Sequence, residues 1–533
     1  MKKLLLFALM VNYSLFVFSF SFGGKTGGED TIAEKYANSI IAADLQTHLL
    51  VIASDEYEGR ETGQKGQKMA ADYLAAQFKN SGLEPVNGNY FQEFPLKVQY
   101  PEGVNFTLNG KEFKFMKDFY FTKGFEDTTI SSKEIVFVGY GIDEVKYTDY
   151  PGKKEPDVKG KIVMFFSGEP ENERKGEFLL SNSQKGSEWT TNWRLKLEKA
   201  KEKGALAALI VSPNIDKSIE ATRHFIEMPS MKLATGEGPS RTVIPNFTIS
   251  PEMADLILSP KKVSSKELQK KINKRKKTKT ICLNAGVLIE MNRKTEKLSS
   301  ENVVGFIEGT DLKEEILVIT AHYDHLGKSD TVVYNGADDD GSGTVAVLEM
   351  AQAFSLAKKE GHGPRRSILF MPVAGEEKGL LGSQFYTDSP LFPLAKTIAD
   401  LNIDMIGRQD EKHKDNPNYI YLIGSDKLSS ELHKISENAN NTYTKLDLDY
   451  TFNEPADKNR FYYRSDHYNF AKNNIPVIFY FNGVHEDYHQ PTDEVDKINF
   501  KKMEKITRLV FFTAWDLANR TERIKVDVAN DFK

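Results

Sequence analysis

The chain has 533 residues, a net charge of −5 and 28% charged residues, values ordinary for a soluble protein. A chain of this length holds two or three domains, and its acidic balance gives no reason to expect nucleic-acid binding. Its single cysteine, Cys282, excludes an intrachain disulfide and a cysteine-cluster metal site, so any metal must be held by His and carboxylates.

Lys2 and Lys3 precede a mostly apolar run from Leu4 to Phe22, and Gly23 and Gly24 follow. This predicts an exported protein (periplasmic or secreted) with a signal peptide over 1–22 and no stable membrane insertion after its removal. A retained anchor is the alternative; Asn12, Tyr13 and Ser14 interrupt the run against it. No later stretch is apolar enough for long enough to cross a membrane. Ala33 to Ala53 and Gly63 to Gly82 carry apolar residues at helical spacing. Between them lies a polar loop, SDEYEGRETG at 54–63, which reads more readily as a solvated connector than as the rim of a site. Residues 30–110 are taken as the N-terminal, helical part of a catalytic domain.

Residues 111–285 read as an inserted β-rich domain. Ile135–Val138, Lys161–Phe166 and Ala205–Val211 are strand-like, with a helical stretch at Asn192–Lys203. No coherent set of His and carboxylates falls here. Residues 261–279 hold ten Lys or Arg against one acid, Glu267, a pattern that fits a solvated surface helix better than an anion site.

From about 300 the pattern alternates strand and helix, which predicts an α/β fold: a mixed, largely parallel sheet with helices on both faces. The expected strands are Ile316–Thr320, Ser367–Val373, Ile398–Ile403, Tyr419–Ile423 and Pro476–Tyr480. The expected helices are Gly341–Ala357, Leu380–Tyr386, Ser429–Asn438, Asp466–Lys472 and Phe500–Asn519. Residues 286–525 are taken as the catalytic domain.

Chemistry gathers where these strands end. The first stops at His322, with Asp324 two residues on, and its loop carries Asp338, Asp339 and Asp340. The second runs into Glu376 and Glu377, which could divide metal binding from proton transfer. The third ends at Asp404, an acid inside an apolar run, where a metal or Arg408 would offset the cost of burial. After the last strand come His485, Tyr488 and His489. Taken singly, each has a plain structural reading: a surface turn, a helix N-cap, an acidic first turn or an ion pair. Together they put His322, one Asp of 338–340, Glu377, Asp404 and His489 at one edge of a sheet, where open α/β sheets place their sites. Two imidazoles and three carboxylates suit two zinc ions, one acid bridging them, with positions left open for water.

The motifs AHYDHLG, GADDDGSG, AGEEKGLLGS, NIDMIGR and DYHQPTDE, in that order over about 300–520, closely resemble the co-catalytic di-zinc aminopeptidases, a family that includes bacterial leucyl aminopeptidases and glutamate carboxypeptidase-like peptidases. The resemblance implies a zinc exopeptidase fold and two zinc ions per chain. One ion falls to His322 and Asp404, the other to Glu377 and His489, with Asp339 bridging. Glu376 becomes the general base working with zinc-bound hydroxide, Tyr488 a candidate oxyanion partner, and Asp324 and Asp466 supports behind the ligands. His325 and His485 would shape the cleft, and Phe461, Tyr462 and Tyr463 would line a substrate pocket. FVGYGI, DVKGKIVMF, KGALAALIV and IPNFTIS, between 137 and 250, resemble a protease-associated domain. The expectation is an exported metallo-aminopeptidase acting on peptides with a free N-terminus. The alternatives are a carboxypeptidase or dipeptidase on the same scaffold, then a glutaminyl cyclase or a non-catalytic receptor-like homologue. The oligomeric state is left open.

Overall fold

The computed structural model describes residues 27–531, apart from 122–126, 151–156, 173–174, 228, 236–243 and 330. The segment expected to be a signal peptide lies outside the described residues. Among those residues, no helix is long and apolar enough to cross a membrane.

A seven-stranded sheet forms the centre. Its order is Gly305–Ile307, Arg366–Val373, Leu312–His322, Thr397–Ile403, Val477–Phe481, Tyr419–Ile423 and Asp447–Asp449. The four strands from Arg366–Val373 to Val477–Phe481 are parallel, and antiparallel pairings flank them. Strands buried on both faces read as continuous apolar runs, and here alternate side chains part to opposite faces. Leu317, Ile319, Ile368 and Phe370 join a core with the helices Lys65–Ser81, Gly343–Lys359 and Phe500–Asn519. Ile316, Val318, Leu369 and Met371 join a second core with the helices Leu381–Asp388 and His467–Ala471. Helices therefore cover both faces, as the sequence predicted.

The N-terminal helices Gly27–Ala37, Ala42–Ile52 and Lys65–Ser81 are followed by a feature that the sequence reading did not contain. Phe91–Leu108 and Ile281–Val303 form a long antiparallel ribbon, with Phe91 opposite Val303 and Leu108 opposite Val287. At its near end Phe94, Leu96 and Val303 belong to the central core. At its far end Phe106, Leu108, Val287 and Ile289 belong to a separate core. The expected boundaries at 110/111 and 285/286 lie at this far end. Beyond it, Thr128–Phe137, Ile162–Phe166, Ala207–Val211 and Asn246–Ile249 extend the ribbon into a nine-stranded sheet, with mutual parallel pairing. Helices Arg194–Glu202, Pro251–Leu258 and Ser265–Arg275 accompany it. The last is the basic stretch; Ser264 and Glu267 cap it reciprocally, Leu268 and Ile272 face the core, and its cations are exposed.

Candidate metal centre

The parallel strands all point their carboxyl ends at one edge. His322 closes Leu312–His322; Glu376 and Glu377 follow Arg366–Val373; Asp404 follows Thr397–Ile403; His485 to His489 follow Val477–Phe481. The loop after His322 folds back so that three consecutive acids meet three different fates. Asp338 accepts the Gly407 N–H (2.6 Å) and faces His485 Nε2 (3.2 Å). Asp340 accepts the N–H groups of His322, Gly343 and Met405 at 2.8–3.1 Å. Asp339 turns instead to His322, His325 and His489. The Gly-Ser-Gly turn is required here: a Cβ on Gly343 would lie 2.4 Å from Ile403 O and 2.5 Å from the Asp340 carboxylate.

The ligand-type atoms form two groups that share Asp339. His322 Nε2 is 3.2 Å from Asp339 Oδ1 and 3.7 Å from Asp404 Oδ1. His489 Nε2 is 3.2 Å from Asp339 Oδ2 and 3.3 Å from Glu377 Oε2. His325 comes to the second group from beneath, with Nδ1 3.0 Å from Glu377 Oε1 and 3.8 Å from Asp339 Oδ2. His322, Asp339 and Asp404 offer atoms all within 4.8 Å of one another, and so do His325, Asp339 and Glu377. Despite these approaches, Asp339 Oδ2, Glu377 Oε1 and both ring nitrogens of His325 are buried without a hydrogen bond of proper geometry. Of these, His325 Nδ1, Glu377 Oε1 and Asp339 Oδ2 stand close together without aligned hydrogen bonds, as atoms grouped around a shared ion would. Two ligands at about 2.0–2.1 Å from a tetrahedral ion stand about 3.3 Å apart, close to the separations in both groups. The donor set of imidazole and carboxylate suits zinc, so the residues fit the ions that the sequence motifs imply.

Charge is arranged accordingly. Burial opposes a proton on His489, but Asp339 and Glu377 outweigh it and raise the imidazole to about 10. Burial and Asp339 push Glu377 upward, yet His325 and His489 hold it down at about 2. The His489 imidazolium proton is what a bound divalent ion would displace. Burial raises Glu376 well above the carboxylate range, with Glu377, Asp466 and Asp404 adding to it against His322. His489 itself (φ 58°) and Met405 (φ 56°), next to Asp404, hold left-handed backbone. Such strain persists only where surrounding contacts over-determine it.

The residues expected at the site differ in how they contribute. His322, Asp339, Glu376, Asp404, Tyr488 and His489 line one cleft, with Phe461, Arg464, Phe479, Phe481 and Val484. Tyr488 stacks on His489 (3.9 Å between ring centroids), and its hydroxyl accepts from Arg464 Nη2 (3.3 Å). The Asp324 carboxylate stands 3.8 Å from His322; the main-chain oxygen of Asp324 meets His322 Nδ1 instead, at 3.0 Å. Asp466 is buried and takes the Ser383 hydroxyl, while its neighbour Ser465 donates to Asp404 Oδ2 at 2.7 Å. Of the three aromatic residues expected to line the substrate pocket, only Phe461 does. Tyr462 and Tyr463 open onto a separate depression with Asp426 and Asp457, because successive residues of the Phe461–Tyr463 turn point in different directions. His325, read as a cleft residue, stands at ligand distance; its place directly after His-x-Asp was the available signal.

Residues 302–514 match the model described as Peptidase family M28, and this segment is an M28 domain. A probable leucine aminopeptidase of Arthroderma otae is 33% identical over 212 residues, covering 38% of this chain and 55% of that protein. Aminopeptidase YwaD of Bacillus subtilis is 26% identical over 235 residues, covering 43% and 47% respectively. The chain thus spans about half the length of these relatives. The structure of an aminopeptidase from Aneurinibacillus sp. strain AM-1 aligns over 93% of this chain and 98% of that one, with a TM-score of 0.53 at 19% identity, a likeness of fold.

Proposed function

We propose that the protein is an exported metallo-aminopeptidase that removes N-terminal residues from peptides. Zinc would be held by His322, Asp339, Glu377, Asp404 and His489, two ions per chain, with His325 also within reach of the second. The observation that carries the reading is the sharing of one buried carboxylate, Asp339, by two His–acid groups beside Glu376 in a single cleft. The M28 match and the aminopeptidase names of the relatives support it. When bound, the ions would polarise the scissile carbonyl and acidify the attacking water.

The chain's own residues do the rest. Glu376, beside Glu377 at the cleft, takes a proton from the water and returns it to the leaving amine. The Tyr488 hydroxyl, steadied by Arg464 and the His489 ring, is placed to donate to a developing oxyanion. Ser465 holds Asp404 in orientation. Phe461, Phe479, Phe481 and Val484 give the cleft an apolar wall that favours apolar N-terminal side chains. The inserted unit, read as a protease-associated domain, would restrict which peptides reach the cleft.

The test is mass spectrometry of peptides with free and N-acetylated termini, with and without chelator. Stepwise N-terminal trimming of free peptides only, stopped by chelator, is expected; trimming from the C-terminus moves the site to a carboxypeptidase. Glu376→Gln is expected to lower kcat by about 10²–10⁴-fold with zinc still bound. Unchanged activity would remove Glu376 from the mechanism.

A further inference from the structure

The loop at 54–63, far from the site in sequence, is built into it. Arg60 is fully buried, and among the described residues its guanidinium meets no carboxylate. It donates to four main-chain oxygens: Tyr323 (2.8 Å), Ile52 (2.7 Å), Asn335 (2.7 Å) and Gly336 (2.9 Å). Two of these lie just before the acidic run of Asp339, and one lies between His322 and Asp324. The Arg60 carbonyl in turn accepts the N–H of His325 (3.2 Å). Glu61 accepts from Lys378 (2.9 Å), the neighbour of Glu377. Thr62, also fully buried, donates its hydroxyl to Asp324 Oδ2 at 2.6 Å. The other Asp324 oxygen accepts the Glu376 N–H at 3.2 Å. The Thr62 methyl carbon is 3.5 Å from where a Cβ on Gly375 would stand. The approach is close enough to exclude side chains: a Cβ on Gly59 (φ 66°) would lie 2.2 Å from Gly327 O.

A surface connector needs none of this. A buried guanidinium is expensive unless its donors are satisfied. Arg60 meets that condition by fastening the two loops that present His322, His325 and Asp339. The carboxylate of Asp324 is held between the Thr62 hydroxyl and the main chain of Glu376, so its orientation is passed to the backbone that aims the base.

We propose that Arg60 and Thr62 are positioning residues of the peptidase site: Arg60 locks the strand end and the Asp339 loop together, and Thr62 acts through Asp324 on the placement of Glu376. This rests on the aminopeptidase reading above. Partners behind the ligands of metal sites contribute about 10–100-fold. Thr62→Val keeps the shape and removes the hydroxyl; Thr62→Ser keeps the hydroxyl. For T62V, kcat is expected to fall about tenfold or more with KM and zinc stoichiometry near those of the wild type, while T62S stays close to wild-type kcat. Equal kcat for T62V and wild type overturns the proposal, as does an equal fall in T62V and T62S. Should T62V fail to fold, T62S decides: wild-type kcat supports the role of the hydroxyl, and a loss overturns it. A wild-type protein that trims no peptide overturns the aminopeptidase reading itself, and with it any positioning role in that reaction.

Discussion

Each half of the molecule buries an acid, and the two acids are treated in opposite ways. In the inserted unit, Asp149 is almost fully buried and accepts the N–H groups of Tyr140 (2.9 Å) and Ile142 (3.1 Å), the Tyr147 hydroxyl (2.8 Å) and the Thr278 hydroxyl. Four donors fill the roughly four lone-pair sites of a carboxylate. In the M28 half, Asp339 is as deeply buried, yet one of its oxygens has no aligned donor and faces the imidazoles of His489 (3.2 Å) and His325 (3.8 Å). Asp149 has its donors complete, whereas the Asp339 oxygen left short stands among ligand-type atoms of His325, His489 and Glu377. Burial does not distinguish them; the donor count taken together with the neighbouring His and acid atoms does.

The sharpest way to break this comparison is to remove each acid in turn. With zinc at a hundredfold over its Kd, binding adds about 2.7 kcal/mol of stability. Asp339→Asn is expected to lose that zinc-dependent rise in Tm, and Asp149→Asn to keep it. A zinc-dependent rise that survives in Asp339→Asn would show that the ion sits elsewhere. Asp149→Asn should instead lower stability by about 1–3 kcal/mol, equally with zinc and with chelator, as read from denaturant midpoints. A wild-type midpoint would mean that its four donors contribute nothing net.

The comparison extends to two buried lysines. Lys502 donates to Arg408 O (2.8 Å) above the Tyr419 ring, and burial lowers it to about 7. Lys196, in the inserted unit, donates to Gly168 O, and burial lowers it to about 8. An unfolded lysine titrates near about 10.4. Between the two values the unfolded chain binds a proton that the folded one does not, so stability rises with pH; below the folded value both are protonated and the cost of burial is present in full. The midpoint of wild type relative to Lys502→Met should therefore climb from about pH 7 to about pH 10. Relative to Lys196→Met the climb should begin about one pH unit higher. A flat difference would mean that the amine stays charged inside.

The M28 half was legible because its central strands are buried on both faces and so read as unbroken apolar runs, three of them stopping at or just before a His or an acid: His322, Glu376 and Asp404. The helix Phe500–Asn519 matched its expected span for a similar reason: one apolar stripe and an Asn499 cap. The ribbon was not legible. Pro95 and Pro101 and the charged stretch at 293–297 argue against a strand in any local window, and only pairing between Phe91–Leu108 and Ile281–Val303 makes it one. Local pattern likewise could not reveal the role of Arg60 or Thr62, since Thr62 meets Asp324 across 262 positions of chain. Nor could it show that His325 stands at ligand distance from Glu377, because which ring reaches a strand end depends on loop geometry.

The ribbon has a consequence for how the two cores are joined. The chain departs and returns on paired strands about 4.8 Å apart, and the exchange is clasped at its far end, where Asn109 N–H meets Gly286 O (2.7 Å) and Gly286 N–H meets Asn109 Oδ1 (2.7 Å). A block entering through that clasp closes its own loop, and loop-closure entropy grows only slowly with length. The segment beyond the clasp also reaches back, since Ser230–Leu233 pairs with Leu96–Gln99 and Met231 and Leu233 pack on the central core. The ribbon and that short strand tether the two cores together, so a change beyond the clasp is felt at the central sheet through these pairings.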